Sequence, residues 1–241
     1  MTVLFVADIH LSNQRPDLIR AFVSFLEDTA KDCKALYLIG DIFEAWIGDD
    51  YLDPTLDPVT KALQDFSARG SLLYFQQGNR DFLVNTKFTD LIGAQLLPES
   101  LIVKLPSTNA LVMHGDQLCT DDTDYQNFRT MVRSPQWQQE FLNKAIDERL
   151  QIAEFLRNTS KEQTSQKSTQ ITDVNTQAVV QAMQNAQVEL LIHGHTHRPN
   201  CHELDLGSTK GVRMVLGDWD TSLWYIKCDT SGCKLIEQKL A

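Results

Sequence analysis

The chain has no apolar run near the roughly 20 residues needed to cross a bilayer, which argues against a spanning helix. It also lacks a disulfide pattern. Its five cysteines, Cys33, Cys119, Cys201, Cys228 and Cys233, are odd in number and include no Cys-x-x-Cys pair, so a disulfide framework or zinc knuckle is not expected and a reducing compartment fits. There is no basic surplus: 22 Lys and Arg face 32 Asp and Glu, a net charge of −10, which argues against nucleic acid as a partner. A phosphorylated small molecule stays compatible, because metal cations can offset acidity near a site. The first strand-like run begins at Val3, which leaves no room for a cleavable leader, and the cytosol is the expected location.

Against these absences stand five fragments: Asp8-Ile9-His10, Gly40-Asp41, Gly78-Asn79-Arg80-Asp81, His114-Gly115-Asp116 and Gly194-His195-Thr196-His197. Each follows a short apolar run rich in β-branched or aromatic residues, at Val3–Ala7, Ala35–Ile39, Leu72–Phe75, Ala110–Met113 and Val188–Ile192. Strands of this kind can deliver all five fragments to one rim of a sheet. The donors are then the carboxylates of Asp8 and Asp41, the amide oxygen of Asn79 and the imidazoles of His10, His114, His195 and His197. Such a set suits Mn, Fe, Co, Ni or Zn, whereas Mg and Ca prefer all-oxygen shells. Seven ligands are too many for one ion. With Asp41 shared, they serve two ions about 3.5–4 Å apart, the spacing used for in-line displacement at phosphorus. Asp81 and Asp116 each follow a ligand and are read as orienting it or capping a helix.

Helix-sized segments separate the first fragments: Asp17–Lys31, with Leu18, Phe22, Phe25 and Leu26 on one face, and Val59–Arg69, with Leu63 and Phe66. After Asp116 about seventy residues pass before the next strand, without an internal repeat. They read as one helix holding Tyr125, Phe128, Met131 and Val132, a second over Pro135–Asn158, and a hydroxyl-rich surface linker over Thr159–Ser168. The apolar positions of these helices read as core, with an acyl-chain groove as the alternative. Strands recur near Cys201–Leu204, Val212–Leu216, Leu223–Lys227 and Lys234–Glu237. The expected architecture is α/β: one domain over 1–241, a two-sheet sandwich flanked by helices, with a helical cap inserted at about 122–186.

The five fragments, in this order, resemble the signature of the calcineurin-like metallophosphoesterase superfamily, with its four-layer αββα sandwich. That resemblance assigns Asp8, His10, Asp41 and His197 to one ion and Asp41, Asn79, His114 and His195 to the other, and implies manganese. Longer strings are more specific: Gly40 to Asp50, Gly78 to Leu83, His114 to Asp122, Tyr125-Gln126 with Phe128-Arg129, and His193 to Pro199. They look like the UDP-2,3-diacylglucosamine diphosphatase family of lipid A biosynthesis. The resemblance implies a hydrolase in which a hydroxide bridging two metals attacks phosphorus, releasing UMP and 2,3-diacylglucosamine 1-phosphate (lipid X). It implies substrate contacts at Asn79, Arg80, Asp122, Ser160, Thr164, Lys167 and His195, with Thr164 standing where Asn is usual, and catalytic roles for Asp41, Asn79, Arg80, His114 and His195. The implied partner is a UDP-linked diacylated glucosamine lipid at the cytosolic face of the inner membrane, with peripheral attachment and no protein partner.

Arg80 fits that chemistry independently. Many superfamily members carry His at this place, and His can protonate an alkoxide-like leaving group; arginine cannot, because its pKa exceeds about 12. A phosphate monoester, with a second pKa of about 6, departs without being handed a proton, so an anhydride needs only charge stabilisation. Two alternatives stay open: a dinuclear hydrolase of soluble nucleotides or phosphoproteins, and a binding scaffold that has lost catalysis, although every ligand is in place.

Overall fold

All five apolar runs are strands in the computed structural model, which describes residues 1–240 apart from 167–170, with only the backbone at 160–166. In chain order the strands are β1 Val3–Val6, β2 Ala35–Ile39, β3 Leu72–Gln76, β4 Ala94–Leu96, β5 Ser100–Lys104, β6 Asn109–Met113, β7 Leu190–His193, β8 Asn200–Asp205, β9 Lys210–Val215, β10 Ser222–Asp229 and β11 Gly232–Lys239. The helices are α1 Pro16–Glu27, α2 Asp57–Ala68, α3 Thr86–Leu91, α4 Thr123–Val132, α5 Pro135–Leu142, α6 Ile146–Gln166 and α7 Thr176–Ala186.

Two sheets form, in the orders β11-β10-β1-β2-β3-β4 and β5-β6-β7-β9-β8. Strands β1 to β4 are parallel to one another, as are β6, β7 and β9. Central strands of this kind are covered on both faces, which is why their sequences are continuously apolar rather than alternating. Val3, Phe5, Ala35, Tyr37 and Ile39 face the second sheet, where they meet Val103, Val112, Ile192 and Met214. Leu4, Val6, Leu36, Leu38, Leu73 and Phe75 face the other way, onto Phe22 and Phe25 of α1 and Leu63 and Phe66 of α2. On the far side of the second sheet, Val179 and Met183 of α7 pack on Leu111 and Leu191. The order is helix, sheet, sheet, helix, the αββα sandwich expected, and α7, which falls within the segment expected as cap, is its outer helical layer.

Three expectations need correction. The helix expected over Pro135–Asn158 is two helices broken at Asn143–Ala145. Asn143 closes α5, its N–H reaching Gln139 O and Phe141 O, and the chain restarts as α6 at Ile146. The linker expected at Thr159–Ser168 is helical backbone through Gln166, since Lys, Glu and Gln are good helix formers. A disulfide joins Cys228 to Cys233, a single bond rather than a framework: the β10–β11 hairpin sets these residues directly opposite, with Cα atoms 4.1 Å apart. The short strands β4 and β5 and the helix α3 were not anticipated.

Candidate metal centre

The fragments leave the carboxyl ends of β1, β2, β3, β6 and β7 and converge, as ligand loops do in open parallel sheets. Their backbone is strained in a telling way. Among the described residues six other than glycine have a positive φ, and five of them are Asp8 (54°), His10 (55°), Asp41 (53°), His195 (68°) and His197 (54°). Left-handed backbone costs an L-residue roughly 1–2 kcal/mol, so its concentration at expected ligands marks a functional constraint. Two glycines permit the close approach: a Cβ on Gly78 would lie 2.2 Å from Asp41 Oδ1, and one on Gly194 would lie 2.3 Å from Asp8 Oδ2.

The side chains gather in two donor clusters, Asp8 with His10 and His197, and Asp8 with Asp41 and His114, each with ligand atoms within 4.8 Å of one another. They share Asp8, whereas the expected bridge was Asp41. His10 Nε2 and His197 Nε2 are 3.2 Å apart, and His197 Nε2 is 3.5 Å from Asp8 Oδ1. Asn79 Oδ1 lies 3.0 Å from His114 Nε2 and 2.8 Å from His195 Nδ1, so the amide ties the remaining imidazoles to the clusters. All seven expected ligands therefore meet at one rim.

Burial works to lift the Asp8 carboxyl, yet the His197 imidazole beside it, with His114 and His10 in reach, holds it well below the usual carboxylate range. Burial opposes charge on His197 as well, but the Asp8 contact raises it to about 9. Burial and then His114 push His195 down to about 4, leaving a neutral ring that can donate a lone pair. Asp8 Oδ1 is buried with no hydrogen-bond partner. A buried anionic oxygen beside imidazole nitrogens is a place for a cation, and the gathered carboxylates, imidazoles and one amide oxygen fit borderline divalent ions.

Neighbours hold the ligands in place. Asp81 accepts the N–H groups of Gly78 (2.7 Å), Asp41 (3.2 Å) and Ile42 (2.8 Å), and so fixes the turn that aims Asp41. Burial, with the Asp41 charge next, pushes Asp81 up to about 6. Asp116 accepts from Arg129 Nε at 2.8 Å and Tyr125 Oη at 3.0 Å. Glu44 reaches His10 Nδ1 at 3.0 Å, and Asp218 lies 3.6 Å from His197 Nδ1, an arrangement that orients metal-binding imidazoles. Sequence reasoning missed Glu44 and Asp218. No spacing rule points to either, although Glu44 belongs to the string that begins at Gly40.

Of the expected substrate contacts, Asn79, Arg80, Asp122 and His195 line one polar cleft with His10, Asp41, His197 and Arg198. Asp122 also caps α4, accepting the Tyr125 N–H at 3.1 Å. The side chains of Ser160 and Thr164, and Lys167 as a whole, lie outside the described residues. A second, apolar cleft opens beside the first, lined by Trp46, Phe82, Leu83, Phe128, Trp137, Phe141, Ala153 and Leu156. Asn79, Arg80 and Tyr125 line both and form the seam between them.

The calcineurin-like phosphoesterase family profile matches residues 1–199. Three proteins named UDP-2,3-diacylglucosamine hydrolase are similar over nearly the full length. That of Tolumonas auensis is 45% identical over 100% of this chain and 98% of its own. That of Chromohalobacter salexigens is 46% identical over 91% and 89%, and that of Yersinia pestis 43% identical over 98% and 98%. Among solved structures, an archaeal phosphodiesterase superposes with a TM-score of 0.49 at 11% identity, covering 98% of this chain and 99% of that one.

Proposed function

Because the chain belongs to the calcineurin-like phosphoesterase family, and within it to the UDP-2,3-diacylglucosamine hydrolases, we propose that it cleaves the diphosphate of UDP-2,3-diacylglucosamine to UMP and 2,3-diacylglucosamine 1-phosphate. It is a metal-dependent hydrolase of lipid A biosynthesis. The observation that carries the substrate reading is the pair of clefts meeting at Asn79, Arg80 and Tyr125: a polar cleft bearing the expected metal ligands meets an apolar one of about 70 Å³, room for the first methylenes of an acyl chain.

In this reading Asp8, His10, Asp41 and His197 hold one ion and Asp41, Asn79, His114 and His195 the other, and the ions are manganese. When bound, they supply Lewis acidity that polarises phosphorus and makes a nucleophile available at neutral pH. The chain's own groups do the rest. Glu44 and Asp218 keep the His10 and His197 rings turned toward the centre. Arg80 has two tasks: its N–H donates to Asp41 Oδ1 at 2.8 Å, fixing that carboxylate, and its guanidinium stands at the seam, where it meets the departing phosphate of the lipid half. That leaving group needs charge stabilisation and no proton, the one service arginine provides and histidine would exceed.

The cap is helices α4, α5 and α6 within a single domain. Its Phe128, Trp137, Phe141 and Leu156 enclose acyl chain. Substrate contacts further out come from Asp122, Ser160, Thr164 and Lys167. The enzyme works at the cytosolic face of the inner membrane, because a two-chain lipid stays there. Met131, Leu142, Leu150 and Phe155 on the cap are 39–68% exposed and supply apolar contact with that surface. No helix among the described residues is long and apolar enough to cross a membrane.

Mass analysis of products formed from UDP-2,3-diacylglucosamine in heavy-oxygen water tests the proposal. The expected result is UMP carrying one heavy oxygen and unlabelled 2,3-diacylglucosamine 1-phosphate. Label in the lipid product, or no cleavage by the manganese-loaded enzyme, would contradict it.

A further inference from the structure

Two arginines line the polar cleft in different company. Arg80 belongs to both clefts, whereas Arg198 lines the polar one alone, with Cys119, Thr172 and Thr196. Its guanidinium is pinned: Nη2 donates to Thr172 Oγ1 at 2.9 Å, and Nη1 lies 3.1 Å from Asp173 Oδ2. Asp173 is itself fixed, accepting the Val174 N–H at 2.7 Å and facing Arg213 at 3.6 Å. The Arg198 side chain is 36% exposed, so the pinned group still fronts the cleft.

We propose that Arg198 is the binding group for the nucleoside monophosphate half of the substrate. The inference rests on the substrate reading above. A UDP-linked lipid is linear, so with its diphosphate at the metal ligands the two halves must leave in different directions. The apolar cleft beyond Asn79, Arg80 and Tyr125 takes the diacyl half. Among the described residues, the wall that remains carries the Arg198 guanidinium and the Thr172 hydroxyl and no large apolar side chain, which suits phosphoryl and ribose oxygens. Asp122 lines the same cleft and would repel a phosphate, and a fixed cation on this wall offsets it. A guanidinium already held by Thr172 and Asp173 loses little freedom when it binds. Each product then has its own arginine: Arg80 for the lipid phosphate and Arg198 for the nucleotide.

The test measures binding of both products to manganese-loaded enzyme by calorimetry, in wild type, Arg198→Ala and Arg198→Lys, with metal content determined for each. Arg198→Ala should weaken UMP about tenfold, change 2,3-diacylglucosamine 1-phosphate by less than about twofold, and keep its metal; Arg198→Lys should recover part of the loss. UMP affinity unchanged in Arg198→Ala would overturn the assignment, as would equal weakening of both products. Calorimetry needs no turnover, so the two readings fail separately. A wild type that binds UMP through Arg198 yet leaves UDP-2,3-diacylglucosamine intact contradicts the substrate reading. One that cleaves the lipid, with UMP binding indifferent to Arg198, contradicts the subsite alone.

Discussion

The rim of the sandwich and the cap above it are built to opposite rules. At the rim Asp8, Asp41 and His114 are 0–2% exposed, and the backbone of Asp8 and Asp41 is left-handed. In the cap Met131 is 49% and Phe155 68% exposed, and among the described residues α6 meets the sandwich through few polar contacts: Arg149 donates to Ile47 O at 2.7 Å and pairs with Asp50, while Arg157 approaches Glu44 at 3.8 Å; α4 is tied more firmly, by Arg129 and Tyr125 on Asp116. Chemistry that depends on ligand positions within about 0.5 Å belongs on rigid elements. Recognition of a flexible acyl chain needs a surface that fits loosely and can open. The difference teaches that catalysis and substrate choice are separable here, and that residues at the seam couple them.

Changes at the rim should remove activity on every substrate, and changes in the cap only on the lipid. The largest effect is expected from Asp41→Ala, which removes the carboxylate proposed to serve both ions: turnover should fall at least about a thousandfold on diacyl lipid and small phosphodiester alike, with metal lost. Two retained metals and near-normal turnover would break the assignment. Phe128→Ala, in the apolar cleft, should lower kcat/KM on the diacyl substrate about tenfold and leave a small phosphodiester unchanged. Equal losses on the two substrates would show that rim and cap are not separable.

Smaller effects concern stability. Arg149→Met removes the anchor between α6 and the Gly48 loop. Arg149 is 3% exposed but Asp50 is 53% exposed, so the cost is set at about 1–2 kcal/mol, or roughly 3–6 °C in Tm, with metal content kept. The effect that vanishes at neutral pH is a pH slope. Burial, and then Arg213, push the His193 imidazole down to about 3, from a usual value near 6.5. Between these values the unfolded chain binds a proton that the folded one does not, so stability falls as pH drops through this window, by up to about 1.4 kcal/mol per unit. Above about pH 6.5 this contribution is constant. Thermal melts of wild type and His193→Gln across about pH 4–7 should differ in slope by this amount; parallel profiles would contradict it.

Sequence made the rim legible and the cap much less so, for a physical reason. Strands buried on both faces leave continuous apolar runs, and β1, β2, β3, β6 and β7 emerged within two residues of their bounds. The ligands follow those runs directly. Cap helices show apolar spacing whether they fill a core or line a cleft, so Val132, which is buried and outside the cleft, and Phe128, which lines the cleft, look alike. Glu44 and Asp218 face the His10 and His197 imidazoles across distances in sequence that no spacing rule records, and the Cys228–Cys233 bond follows from hairpin register rather than from cysteine spacing.

The central claim is that the seam matches this site to an anhydride whose leaving group needs charge and not a proton. It is tested most directly by kcat/KM for wild type and Arg80→Ala on a matched pair, UDP-2,3-diacylglucosamine and an alkyl phosphodiester of the same nucleotide. Wild type should cleave the diphosphate far faster, and Arg80→Ala should lose about a hundredfold or more on the diphosphate, keep its metal and change little on the diester. Comparable wild-type rates on the two, or an Arg80→Ala enzyme as fast as wild type on the diphosphate, would contradict the account.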